Sequence, residues 1–447
     1  MTTSAQTHEA ATALAIPRHC LLEVTGRQLQ APLVTGGTTR YVNLDYAATA
    51  PALKAVVDHV AEVMPYYASV HRSAGYASKV SSALYEQARA DVGEFVGAGP
   101  GDVVVFTRNT TDALNLLADA TPPGTVIFLD LEHSANQLPW QARGHRRVPV
   151  AGDLEETLDR LDRALTEEPA VLLAITGASN VTGEVVPIDA VAELAHSHRV
   201  RVAVDAAQLA PHRGVSLADS GVDYVALSGH KLYAPYGAGA LVGRRDWLDA
   251  AEPHLLGGGS VADVGAGGTR WSPAPARHEA GTPNLLGAAA LAAACRALAE
   301  LTPGALRYHE EALLTYLEAQ LAQVRGVRLH RLWPDHDDRV GAVAFTVAKY
   351  PAGLVAAYLS AEHGIGVRDG RFCAHQLLDR LGLHDGAVRA SVGLGSTGTD
   401  VEALVDALVA LVTDGPQWTY EPGVGGQWQP AADSRPLPAF GRPRSSG

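Results

Sequence analysis

Two stretches hold the residues best suited to chemistry: VAVDAAQLAPHRGV at 202–215 and VDYVALSGHKLYAPYGAGALVG at 222–243. Lys231 lies between an apolar run and a Gly-rich turn, and Asp205 ends another apolar run. An amine so placed can condense with an aldehyde. A nearby carboxylate can keep a pyridine nitrogen protonated, which turns that ring into an electron sink. The pair therefore points to pyridoxal 5'-phosphate (PLP). Gln208 can turn toward the ring's 3'-oxygen, and Ser228 and His230 offer donors to the phosphate. Taken singly, each has a plainer reading: a strand-end Asp caps a turn, and a Lys is a solvated charge. Their combination is the specific feature.

These residues need a frame. VVVFT (103–107), VIFLD (126–130), VLLAIT (171–176), VRVAVD (200–205) and VDYVALS (222–228) alternate with helical segments such as DAVAELAHSH (189–198). That alternation predicts an α/β fold whose large domain has a mostly parallel central sheet buried on both faces. After a helical region at 285–325, GAVAFTV (341–347) and VRASVGL (388–394) predict a smaller α+β C-terminal domain. The expected division is a flexible tail at 1–18, a segment at 19–70 packing with the small domain, a large cofactor-binding domain at 71–305, and a small domain at 306–414. The Gly/Pro-rich tail at 415–447 reads as poorly ordered or draped on the surface. Ligands of open parallel sheets sit at strand carboxyl ends. Residues 107–111, His133, Ser179, Asn180, Asp205, Gln208 and 228–231 all lie at such ends.

The chain resembles the class V, fold-type I PLP enzymes, most closely the Suf-type cysteine desulfurase and selenocysteine lyase branch. The resemblance runs from about Tyr41 to Leu411 through YVNLDYAATA, VHRS, RNTTDALN, LEHSANQLPW, ITGASNVTGEVVPI, the lysine segment, HEAGTPN and VRASVGL. It implies an internal aldimine at Lys231 and a proton-moving ring-stacking role for His133. It further implies that Thr110 and Thr111 at a helix start, with Ser228 and His230, hold the phosphate. Asn180 matches a residue near the cofactor oxygen and substrate carboxylate. Thr282 matches a loop that reaches the neighbouring protomer's phosphate, which implies a homodimer with a shared site. His71 and Arg72 match a substrate-entrance segment.

Two residues bear on the reaction. Arg389 matches the arginine that grips a substrate carboxylate through its planar fork. Cys373, in GIGVRDGRFCAHQLL, matches the loop cysteine that takes sulfur from cysteine or selenium from selenocysteine. The products implied are alanine and a persulfide on Cys373, handed on to a sulfur-acceptor protein. Arg368, Arg371 and His375 offer positive charge that lowers a thiol pKa. Where relatives often carry histidines, Arg371 and Phe372 precede this cysteine. An aminotransferase, or another lyase or epimerase acting on a different amino acid, is the alternative within the class. A binding protein that has lost catalysis is a third reading, against which the retained Lys231, Asp205, Gln208 and His133 argue.

The bulk properties agree with a soluble enzyme of small molecules. Hydrophobic residues make up 47% of the 447 and charged ones 19%, enough apolar content for a sizeable core. A net charge of −13 disfavours nucleic acid and anionic lipid as partners. Three scattered cysteines build no disulfide framework and suit a reducing cytoplasm. The start MTTSAQTHEAATALAIP does not read as a secretory leader. Leu285 to Cys295 is too short to cross a bilayer. No HExxH or Walker loop occurs, and no metal is expected.

Overall fold

Short runs rich in Val, Ile and Leu form the strands of the large domain in the computed structural model, which describes residues 15–441. They are β1 (Asp102–Thr107), β2 (Thr125–Leu129), β3 (His145–Val148), β4 (Ala170–Thr176), β5 (Arg201–Asp205), β6 (Tyr224–Ser228) and β7 (Gly239–Arg244). Their order in the sheet is β1-β7-β6-β5-β4-β2-β3. Only β7 runs against its neighbours β1 and β6; the remaining pairings are parallel. Successive side chains point to opposite faces, and both faces are buried. Leu173, Ile175, Val202, Val204, Val225 and Leu227 belong to one core, while Leu172, Ala174, Ala203, Tyr224 and Ala226 belong to the other. Gly239 is required where β7 begins, because a Cβ there would lie 2.5 Å from the Leu227 carbonyl oxygen and 2.7 Å from the Asn109 Cα.

Helices cover the sheet. Among them are α1 (Lys54–Val63), α2 (Tyr76–Phe95), α3 (Thr110–Ala120) and α4 (Leu285–Ala299), and α3 begins at the site. The alanine-rich α4, LLGAAALAAACRALA, is buried over most of its length and packs against α1 and α2. Small side chains let helix backbones approach closely while keeping high helix propensity.

The smaller domain has a four-stranded antiparallel sheet, β8 (Val327–His330), β9 (Ala342–Val347), β10 (Arg368–Gly370) and β11 (Ala387–Ser391), in the order β8-β9-β11-β10. Helices α5 (Ala305–Gln323), α6 (Ala352–His363) and α7 (Gly398–Asp414) close its core around Leu317, Phe345, Leu359 and Leu404. The N-terminal segment joins this domain. Val42–Asn43 pairs in parallel with Ile365–Gly366, and Ser391 N donates to the Leu44 carbonyl, so Asp45 is delivered beside β11.

The described part of the N-terminal tail is tied down rather than loose, and part of the C-terminal tail is draped on the surface in an ordered way. Pro17 accepts a bond from Gly398 N, and Arg18 pairs with Glu402. Residues 1–14 and 442–447 lie outside the described residues. At the other end, Tyr420–Pro422 and Trp428–Pro430 form an antiparallel hairpin. Glu362 of α6 holds it by accepting from Gln417 N, Trp418 N and the Tyr420 hydroxyl. The Gly and Pro content suggested looseness; one buried carboxylate with three donors supplies the order.

Candidate active site

The carboxyl ends of β1, β2, β4, β5 and β6 converge on a cavity of about 290 Å³. Thr110, Thr111, His133, Asn180, Asp205, Gln208, Ser228, His230, Lys231, Cys373 and Arg389 all line it. Residues from five separate strand ends and from the small domain thus meet in one place.

One end is built for an anion. Asn109 caps α3 by accepting from Asp112 N at 3.0 Å, and Thr110 and Thr111 of the helix's first turn, whose N–H groups have no partner within the helix, line the cavity. Thr110 Oγ1 and Ser228 Oγ are buried without a hydrogen-bond partner. Orphaned buried hydroxyls are costly unless a ligand satisfies them. Two such hydroxyls beside a helix N-terminus fit a phosphate group.

The middle holds the acid, the amine and the imidazole. Asp205 is 4% exposed, and burial raises its pKa while Lys231 draws it down. Desolvation lowers the Lys231 pKa to about 8, against the pull of Asp205. Its Nζ lies 3.4 Å from Gln208 Oε1. His133 is lowered to about 4, by desolvation first and then by Lys231 and Arg389. The His133 ring is therefore neutral near pH 7. Its Nδ1 accepts from Ala135 N at 3.0 Å, so the ring proton sits on Nε2. The preceding Glu132, fully buried, accepts from Thr176 N and Asn136 Nδ2 and fixes this turn to β4. His230 is also lowered by desolvation and by Lys231.

The far end is cationic and carries the thiol. Arg389, on β11, is 2% exposed; it donates to Asp45 Oδ1 at 2.9 Å and to the Asn180 carbonyl at 2.7 Å. Its Nε has no partner, and the Phe372 ring lies 5.3 Å from its guanidinium carbon. Cys373 is exposed, and both Phe372 and Cys373 adopt left-handed backbone, with φ of 51° and 54°. Arg368 lines the cavity. Arg371 does not serve the thiol as expected: its guanidinium pairs with Asp379 and donates to the His375 carbonyl, so its charge is already compensated.

Three expected residues lie outside this cavity. His71 pairs with Glu86 at 3.0 Å, and Arg72 donates to the Gly258 and Gly281 carbonyls. Thr282 is exposed on the loop that Arg72 ties down. Residues that sequence reasoning missed include Asp45, Ser134 and the buried pair His212 and Glu310, whose ring Nδ1 and carboxylate lie 2.5 Å apart behind Gln208. His212, four residues after Gln208, had a spacing that could have flagged it. Among the described residues there is no cluster suited to a metal ion, and no helix is long and apolar enough to cross a membrane.

Comparisons with known proteins agree with this geometry. The family description "Aminotransferase class-V" matches residues 42–404. A cysteine desulfurase of Dickeya dadantii is 36% identical over 379 residues, covering 82% of this chain and 90% of the relative. A probable cysteine desulfurase of Halobacterium salinarum is 35% identical, covering 84% and 92%. Among solved structures, the Escherichia coli cysteine desulfurase CsdA in its S-sulfonic acid form aligns with a TM-score of 0.73 at 33% identity, covering 83% of this chain and 94% of that one. The apo cysteine desulfurase of Thermococcus onnurineus NA1 aligns at 0.77 and 31% identity, covering 84% and 95%. On the family match and the arrangement of its cavity, this chain belongs to the class-V aminotransferase family.

Proposed function

We propose that the protein is a PLP-dependent cysteine desulfurase that moves sulfur, or selenium, from the free amino acid onto Cys373. The observation that carries this reading is one cavity lined at once by the Lys231 amine, the Arg389 guanidinium and the Cys373 thiol. The orphaned hydroxyls of Thr110 and Ser228, with the first turn of α3 and His230, fit the phosphate. Asp205 fits the ring nitrogen and Gln208 the ring oxygen. Bound PLP supplies an electron sink for the charge left when the substrate loses its Cα proton.

The chain's own groups do the rest. The Arg389 fork takes the substrate carboxylate, using the Nε that has no protein partner. The Lys231 Nζ, with its pKa near 8, is partly neutral at pH 7 and takes the Cα proton. The Cys373 Sγ attacks the substrate sulfur: a sulfur–sulfur bond forms and the substrate's carbon–sulfur bond breaks. The proton that Cys373 gives up completes the alanine methyl group and the Lys231 ammonium returns its proton to Cα, while the neutral His133 ring offers Nε2–H as a hydrogen-bond donor. Cysteine and the Cys373 thiol become alanine and a Cys373 persulfide, with no external oxidant. Exposure of Cys373 suits onward transfer to an acceptor protein. Exposure of Thr282 outside its own cavity suits service to a second protomer in a homodimer. The three free cysteines suit a cytoplasmic setting.

The test is amino-acid turnover by the PLP-loaded protein. Equimolar alanine and sulfide from cysteine, in the presence of a thiol reductant, are expected. A keto-acid-dependent half-reaction with no sulfide released would overturn the reading in favour of an aminotransferase.

A further inference from the structure

We propose that Ser134 is a positioning residue for the thiol, forming a latch that holds the Cys373 loop against the large domain. The proposal rests on the reading of Cys373 as the sulfur-accepting group. Ser134 does not line the main cavity and has no place in cofactor binding. It donates twice to one acceptor, the Cys373 carbonyl: from its backbone N–H at 2.8 Å and from its Oγ at 2.8 Å. Asn180 Nδ2 donates to the preceding carbonyl, that of Phe372, at 2.9 Å. The latch thus joins β-strand ends of the large domain to a loop of the small one.

The loop needs such a hold. Two consecutive non-glycine residues in left-handed backbone persist only where surroundings over-determine them. The buried Phe372 ring over Arg389 anchors one side, and the three donors anchor the carbonyls. Between these anchors only the Cys373 side chain is left free to project. Ser134 directly follows His133, and both belong to one short turn in which Ala135 N donates to the His133 ring and Ser134 N to the Cys373 carbonyl. A serine hydroxyl is short enough to reach the acceptor already used by its own N–H. The latch therefore sets the thiol in register with the imidazole, across a boundary that no covalent link spans nearby.

The experiment uses holoenzyme carrying Ser134→Ala or Ser134→Thr. Ser134→Ala removes one of the two bonds, and is expected to raise hydrogen exchange of the 371–376 segment about fivefold. In the same variant kcat for alanine formation falls about fivefold, KM for cysteine stays within about twofold, and the cofactor absorbance is unchanged. Ser134→Thr keeps the hydroxyl and restores both exchange and kcat. Unchanged exchange in Ser134→Ala refutes the latch, and raised exchange with unchanged kcat refutes its positioning role. A Cys373→Ala control separates the two readings: full turnover there sinks the role of Cys373 itself, whereas lost turnover there with an unmoved Ser134→Ala sinks the latch alone.

Discussion

The two reactive groups of the cavity are held in opposite ways. Lys231 follows directly from β6, and its neighbours Leu232 and Tyr233 are 0% and 1% exposed. Backbone bonds from Gly229 N to Ala238, Leu232 N to Ser228 and Ala234 N to Gly229 close its turn on the sheet itself. Cys373 sits on a left-handed loop of the small domain, exposed, and held by side chains from another domain. An amine that must keep one distance from a bound ring belongs on rigid scaffold. A thiol that receives an atom at one place and gives it up at another belongs on a segment that local opening can release.

The sharpest break of this comparison is at the rigid end. Lys231→Ala should lower turnover by about 10⁴-fold or more, since one residue both anchors the cofactor and moves the proton. Borohydride reduction and peptide mapping of the wild type should place a pyridoxyl adduct on residue 231, and the variant should show none. At the loop end, Cys373→Ala should cost about 10²-fold or more in alanine formation from cysteine while the visible cofactor band stays intact. A variant that lost the band too would show the two ends to be structurally dependent.

Arg389 joins the two ends. Arg389→Lys keeps a charge beside Asp45 but loses the planar fork, so kcat/KM for cysteine should fall about 30-fold, mostly through KM. An equal loss in kcat with KM unchanged would assign the arginine to the reacting atoms instead.

How much of this was legible in the sequence follows from contact range. The strand runs and the residues at their ends, Thr110, Asp205, Gln208, Ser228 and Lys231, could be read because the sheet places strand ends together. The pairs that were missed join residues far apart in the chain: Asp45 with Arg389 across 344 positions, Ser134 with Cys373 across 239, and His212 with Glu310 across 98. No periodicity encodes such pairs. The opposite error occurred at Arg371, where a charge close in sequence to Cys373 proved to be taken by Asp379, near the end of the short helix His375–Arg380. Proximity in sequence is a poor guide to which charge a thiol feels.

A smaller effect tests the environment of the lysine directly. Its pKa is lowered to about 8, so at pH 7 the protonated form dominates by about tenfold. Only the neutral amine captures an aldehyde. Capture of PLP by the apoprotein, followed by visible absorbance, should accelerate about fivefold from pH 7 to pH 8 and about tenfold in all, levelling off above about pH 9. A lysine with the ordinary value would keep accelerating to about pH 10.4, and such a profile would show the desolvated setting to be wrong.

The smallest expected effect is also the most selective. Ser228 Oγ is buried without a partner, so the apoprotein bears its desolvation and gains no bond in return. Ser228→Ala should leave the apoprotein's thermal midpoint unchanged or slightly raised. The same substitution should weaken PLP binding about fivefold, because the hydroxyl's bond exists only with the phosphate in place. Most substitutions of buried residues damage the folded chain before any effect on ligand can be read, but here the two readouts should move apart. A fall in apoprotein stability would mean that the hydroxyl already has a partner in the protein, and the anion site would then rest on α3 and Thr110 alone.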